Sequence, residues 1–432
     1  MRAVGAGAGR VDQSDKTSGG AQMSERTMPM LSMAERDRRW ARVRQFMAAE
    51  GVDGIVVAGL RGRESFETYV SGESIQGIVV MPASGEPVYL TWSPFRIIGR
   101  TDPGVVGAYW IDDIRSGLLG PGLVEALRGL ELSSARLGVV GLTSKNPMEL
   151  EGIIPWGVWS HVVEQLPSAE FVDISGGFGL LMAEKSAEEL ELIRYSARVG
   201  ELAAEAMVQV SRPGVREDEI YATVMDVIFR HGAGTHQPSL IIRSGVDTLG
   251  WGPPEWGADR SVPPRTIQTG DLVYAELMTT CGGMETQQQV TISMGPLTAQ
   301  RKHLGEVARA AYDAGLESLR PGASFIDVCD AMGKPVAEAG CWHLSPHIHS
   351  VSPATLIGHL HVGAQNFFAD EYPFLRPVPP TMDAEIKEGM TFSFEPNACI
   401  ARERVNIGGS VVVGADAVEE LNSLPCHIIV VG

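Results

Sequence analysis

Cysteine is scarce and unpaired along this chain: five in 432 residues (Cys281, Cys329, Cys341, Cys399, Cys426), with no CxxC spacing. An odd, scattered set argues against a disulfide-stapled fold and fits reduced thiols in a cytoplasmic enzyme. No run of about 18 apolar residues occurs, so no membrane span is predicted. Positive charge is also in deficit: 35 Lys and Arg stand against 53 Asp and Glu, a net charge of −18. Phosphate binding needs a basic face, so nucleic acid is excluded as a partner. The first 33 residues lack the apolar segment of a secretory signal. They are rich in Gly, Ala, Ser and charge and are expected to form a disordered extension, with Met23 or a later residue as an alternative start.

What is present is enough apolar material, 44% of residues, to build a sizeable core. The length predicts two domains. Trp40, Val43, Phe46 and Met47 recur at helical spacing up to Gly51. The run from Gly54 to Ala58 reads as a buried strand. Stretches 76–81 and 87–92 flank Ala83-Ser-Gly85 as a hairpin. A strand over 135–141, a helix over 148–164 and a short strand over 170–174 complete an α/β pattern, expected to span 34–182. Ser186 and Glu189 have the spacing of a capping box, which opens a long helix. Residues 183–432 are read as one larger domain.

That second part repeats itself. Arg212-Pro-Gly214 precedes a helix over 217–229, and Arg320-Pro-Gly322 precedes one over 326–339. Gly270-Asp-Leu-Val-Tyr-Ala-Glu276 matches Gly389-Met-Thr-Phe-Ser-Phe-Glu395, with the glutamate six residues after the glycine in both. The offsets, 320 − 212 = 108 and 395 − 276 = 119, keep the element order with an insertion. Two such halves packed about a pseudo-twofold axis bring Glu276 and Glu395 to equivalent places. A glutamate inside an apolar strand is costly unless paired, metal-bound or catalytic.

Residues 183–421 resemble the pita-bread superfamily of creatinase, prolidase and methionine aminopeptidase. The likeness rests on 184–194 as the linker helix, Arg212-Pro-Gly-Val215, Ile242-Arg-Ser-Gly245, Gly270-Asp-Leu-Val273, Gly358-His-Leu-His-Val-Gly363, Phe394-Glu-Pro396, and 405–413 followed by Gly414, Asp416 and Glu419. The implied fold class is an α/β N-terminal accessory domain followed by an α+β catalytic domain of duplicated halves. The resemblance also implies a homodimer in which the accessory domain closes the partner's site.

Metal-dependent members of that family resemble one another in five ligands: two aspartates, a histidine and two glutamates. Here the first position falls on Glu276 and the second on Gln287, with Glu285 as a shifted candidate. The histidine falls on His359 or His361, the fourth ligand on Glu395, and the fifth on Gly408. An amide and a glycine cannot supply carboxylate charge, so two metals are not expected; the reading is no metal and no other cofactor, with one ion on Glu276, Glu395 and a histidine as the alternative. His359 and His361 are read as alternating along a strand, so that only one enters the site.

Creatinase itself, as the resemblance has it, is a metal-independent hydrolase with a histidine proton shuttle and glutamates on the guanidinium. The shuttle position falls here on Gly252 or Trp251, so creatine is not the expected substrate. Metal-free C–N cleavage needs a base for water and an acid for the leaving nitrogen. Adjacent carboxylates can share one proton and divide those roles. Glu276 and Glu395 are the preferred pair, with His361 and then His359 as proton carrier. Gln287, Glu285, His349, His236, Trp251 and Arg243 are expected to contact substrate, Trp251 as an aromatic wall and Arg243 as a carboxylate fork. The reading is a hydrolase of an amide, amidine or lactam-like C–N bond in a small molecule. The alternatives are a lyase-type enzyme on the same scaffold, a metal-dependent Xaa-Pro peptidase and an inactive binding protein.

Overall fold

A computed structural model describes residues 28–60, 64–73, 75–102, 109–143, 152–236, 238–247, 249–257 and 262–432. The expected leading extension, up to residue 27, lies outside the described residues, as does the start of the helix expected from 148.

Helix α1 (Met33–Glu50) begins at Ser32, whose side chain accepts the Glu35 N–H, and stops at left-handed Gly51. Then follow β1 (Gly54–Ala58), α2 (Thr68–Ser71), β2 (Gly77–Pro82), β3 (Val88–Thr91), α3 (Pro94–Gly99), β4 (Asp113–Ser116), α4 (Leu119–Gly129), β5 (Arg136–Val140), α5 (Trp156–Gln165), β6 (Glu170–Asp173) and α6 (Ser175–Ala183). The strands form one mixed sheet in the order β4-β3-β2-β1-β5-β6. Every residue of β1 is buried. That is why its sequence is a continuous apolar run rather than an alternating one. The hydrophobic core around this sheet draws on residues from Trp40 to Met182.

Beyond it the chain runs through α7 (Ala187–Val210), α8 (Glu217–Arg230), β7 (Leu240–Gly245), β8 (Leu272–Cys281), β9 (Met284–Met294), α9 (Ala299–Ser318), α10 (Phe325–Glu338) and β10 (Ile348–Ser350). It ends with α11 (Ala364–Phe367), β11 (Thr391–Phe394), β12 (Asn397–Ile400), β13 (Glu403–Asn406), β14 (Gly409–Val413), β15 (Val418–Glu420) and β16 (Ile429–Val431). In one half, α7 and α8 precede the antiparallel ladder β7-β8-β9; in the other, α9 and α10 precede β10-β11-β14.

The repeat seen in the sequence is carried by paired backbone turns. Gly214 and Gly322 have φ of 93° and 83° and donate to the Ile267 and Ile386 carbonyls, both at 2.9 Å. Gly270 and Gly389 have φ of 88° and 82° and donate to Met294 and Val413 at 2.7 and 2.8 Å. Only glycine holds such angles without strain. The two sheets meet at a bridge between Gln289 and Gly408. The single strand expected over 405–413 is broken at Ile407 and Gly408, so that β13 pairs with β12 while β14 pairs with β11.

Candidate active site

Glu276 projects from the middle of β8, and Glu395 lies one residue beyond β11. Their strands are equivalent in the two halves, so the carboxylates converge. Glu276, Glu395 and His349 each offer a ligand atom, all within 4.8 Å of one another. All three are buried, at 4%, 3% and 3% exposure. With Gln287, His361 and Trp251 they line a cavity of about 410 Å³, whose remaining wall is apolar apart from Ser345 and includes Ile241, Met278 and Leu360.

His349 Nδ1 lies 2.8 Å from the Ser350 carbonyl, which can only accept. Its Nε2 lies 3.0 Å from Gln287 Oε1 and 3.1 Å from Glu395 Oε1. The Gln287 orientation follows from its other end, where Nε2 donates to Glu285 Oε1 at 2.7 Å. The Ser350 carbonyl fixes a proton on Nδ1, which leaves Nε2 facing the Gln287 and Glu395 oxygens. Glu285 Oε2 in turn holds His236 Nδ1 at 2.5 Å. A hydrogen-bonded line thus runs from part-exposed His236 through Glu285, Gln287 and His349 to Glu395.

Several expectations are corrected here. His359 is not in the carboxylate cavity. It lies in an irregular segment, bonds Asp330 Oδ1 at 3.1 Å and lines a separate cavity of about 580 Å³ with His343 and His347. No strand joins it to His361, which occupies a turn with φ of 60°. His361 does line the carboxylate cavity, and burial lowers its proton affinity, opposed by its backbone bond to Leu344. The imidazole bonded to Glu395 is that of His349, which sequence reasoning ranked only as a substrate contact. Arg243 is no carboxylate fork. Its guanidinium donates to the Ile242 and Pro253 carbonyls and so clamps the loop that carries Trp251. Glu285 and His236 sit one layer back, outside the described lining. Trp251 does line the cavity, whereas Trp256 packs edge-on against Tyr221 at 5.5 Å between ring centroids.

Sequence reasoning missed Arg404, a wholly buried guanidinium 3.8 Å from the Trp251 ring centroid. Nothing in the stretch around it marks an arginine as buried rather than as an ordinary surface charge.

The donor set does not fit a two-metal centre. Gln287 is a neutral amide, and Gly408 cannot become acidic where it stands. A Cβ there would lie 1.9 Å from the Phe394 carbonyl oxygen, at a φ of 138°. Glu276, His349 and Glu395 are sufficient donors for one ion at most.

The description of metallopeptidase family M24 matches residues 191–415. A creatinase of Bacillus sp. (strain B-0618) is 23% identical over 418 residues, 93% of this chain and 93% of its own. An Xaa-Pro dipeptidase of Pyrococcus furiosus is 24% identical over 267 residues, 60% of this chain and 69% of its own. Among solved structures, X-Pro aminopeptidase from Thermotoga maritima MSB8 superposes with a TM-score of 0.69 at 16% identity, covering 91% of this chain and 99% of that one. Xaa-Pro dipeptidase from Bacillus anthracis gives 0.69 at 19%, covering 92% and 100%. These structural likenesses establish the fold, an N-terminal α/β domain followed by a pita-bread domain. The family match takes in both halves of the duplicated part, and the chain belongs to metallopeptidase family M24, the creatinase and prolidase superfamily.

Proposed function

We propose that the chain hydrolyses a C–N bond in a small, N–H-rich molecule such as an amide, amidine or lactam, and that it does so without metal. The observation that carries this is the Glu276, His349 and Glu395 cluster in a cavity whose wall is otherwise mostly apolar. Two buried carboxylates favour a ligand that presents N–H donors or positive charge. The Trp251 face adds a wall for a flat group. The creatinase relative supports the reading because it aligns across 93% of both chains.

In this mechanism Glu276 takes a proton from water, and the oxygen attacks the carbon of the C–N bond. Glu395 holds His349 in place through its Nε2 contact. His349, acting as its imidazolium, delivers the Nε2 proton to the departing nitrogen as the bond breaks. The proton on Glu276 then returns to the imidazole through solvent. Gln287 contacts the same Nε2, and the Ser350 carbonyl fixes the ring from its other side at Nδ1.

The test is a screen of small amides, amidines and cyclic ureas, before and after exhaustive chelation. Turnover should survive chelation, incorporate solvent oxygen into product, and fall by about 100-fold or more in Glu276→Gln and Glu395→Gln. Product without solvent oxygen points instead to elimination. A second reading, a metal-dependent peptidase, draws on the same three donors. Cleavage of Xaa-Pro dipeptides that chelator abolishes and Mn²⁺ restores would establish it. We also infer a homodimer, with an accessory domain closing the partner's cavity. It is supported by Trp92, Phe95 and Ile98, which stand 58%, 78% and 59% exposed around α3. Sedimentation equilibrium at twice the chain mass is the expected result.

A further inference from the structure

Arg404 lies in β13 and is 1% exposed. Among the described residues no carboxylate reaches it at ion-pair distance. Nη2 donates to Asn406 Oδ1 at 3.2 Å and reaches Ser345 Oγ at 3.5 Å, while Nε and Nη1 have no hydrogen-bond partner among the described residues. Its guanidinium carbon lies 3.8 Å from the Trp251 ring centroid and 5.6 Å from that of Tyr274. Trp251 and Ser345 both line the carboxylate cavity. Tyr274 sits two residues before Glu276 on β8, on the same face of the sheet. The cation therefore stands one layer behind the cavity wall.

A buried guanidinium without a direct ion pair is expensive, and arginine does not escape by losing its proton. Two things compensate for it here. The ring faces of Trp251 and Tyr274 offer cation–π attraction. The carboxylates of Glu276 and Glu395 offer opposite charge through a medium that screens poorly. Burial lowers the proton affinity of Arg404, while Cys399, Tyr274, Glu395 and Glu276 act the other way. A complete five-ligand set would have its charge balanced by bound cations. In this chain one carboxylate position is an amide, another is a glycine, and a fixed positive charge sits behind what remains.

We propose that Arg404 is the resident cation of this site: from behind the Trp251 and Ser345 wall it balances Glu276 and Glu395 and lowers their affinity, with His349, for a divalent ion. This deepens the metal-free reading and rests on it. Arg404 is a positioning residue, since it touches the wall and not the substrate.

The test is Mn²⁺ titration by calorimetry, with thermal melts, on the full chain as wild type, Arg404→Met and Arg404→Lys. The methionine variant should bind Mn²⁺ at least about tenfold more tightly than wild type. Mn²⁺ should raise its melting temperature, because a ligand that binds only the folded state stabilises it. Arg404→Lys should resemble wild type at neutral pH. Its Mn²⁺ affinity should climb more steeply with pH than that of wild type, as the buried ammonium loses its proton. A folded methionine variant with wild-type Mn²⁺ affinity overturns the proposal. If that variant folds neither with nor without Mn²⁺, a lysine variant whose affinity follows the wild-type pH slope overturns it. Wild-type protein that already binds Mn²⁺ tightly defeats the metal-free reading instead. A metal-free wild type with an unchanged methionine variant defeats only the role of Arg404.

Discussion

Gly408 shows how one backbone position decides what the site can hold. Its φ of 138° and the Phe394 carbonyl, 1.9 Å from where a Cβ would stand, leave no room for a side chain. Gly408→Glu, which would reinstate the family's acidic residue, should destabilise the chain by about 3 kcal/mol and should not create a second metal position. Urea denaturation and metal titration check the two parts. Glu285 is the complementary case, a buried carboxylate that joins His236 to Gln287. Glu285→Ala releases the Gln287 amide from its fixed orientation. It should lower kcat more than it raises KM, which steady-state kinetics on a substrate found by screening can separate. At this scale the sequence was only partly informative. Glu276 and Glu395 stood out because each occupies an equivalent place after a repeated glycine. His349 did not, since choosing between it and His361 depends on the path of the chain from 343 to 361. Gly358-His-Leu-His-Val-Gly363 looked like a strand with alternating faces. It folds instead as a turn, which separates its histidines between two cavities.

Between elements, the junction of α1 with α7 is held by buried charge. Arg39 contacts Glu35 at 2.8 Å and Glu189 at 3.0 Å, and Glu189 also closes the capping box of α7. Arg39→Ala leaves two buried carboxylates without that cation and should cost about 3–5 kcal/mol, measured by denaturant melts. The same junction should respond to acid. Burial raises the Glu35 proton affinity, but hydrogen bonds and charge from Arg38 and Arg39 outweigh it, so the folded pKa lies below the ordinary glutamate value. The unfolded chain binds that proton more readily. The stabilisation is therefore complete above the ordinary glutamate value and is lost as pH falls through the lower, folded one. Thermal melts across the acid range should show this loss in wild type, and a smaller one in Glu35→Gln. Element boundaries were largely legible, because Gly51, the Ser186 box and the two Arg-Pro-Gly turns punctuate the chain. The split of 405–413 into β13 and β14 was not. It arises from Ile407 and Gly408 crossing between ladders, a long-range contact that no local pattern encodes.

Across the whole molecule, a duplicated domain sets two equivalent strands face to face, and the cavity forms where they meet. The N-terminal domain reaches towards it: Glu64 accepts the Ala354 N–H at 2.9 Å, in the segment that follows β10. With a net charge of −18, the molecule should draw cationic substrates by long-range attraction. For such a substrate kcat/KM should fall as salt rises, and for a neutral amide it should stay nearly flat. The two-domain plan was readable from length and from the alternation of predicted elements. The charge arrangement of the site was not, because Arg404 acts on it through an aromatic wall. The most direct measurement is elemental analysis of protein purified without chelator or added metal, on wild type beside Glu395→Gln. The predicted result is substoichiometric manganese, cobalt, iron and zinc in both. Stoichiometric metal in wild type that disappears in Glu395→Gln would contradict it, and would make Glu276, His349 and Glu395 metal ligands.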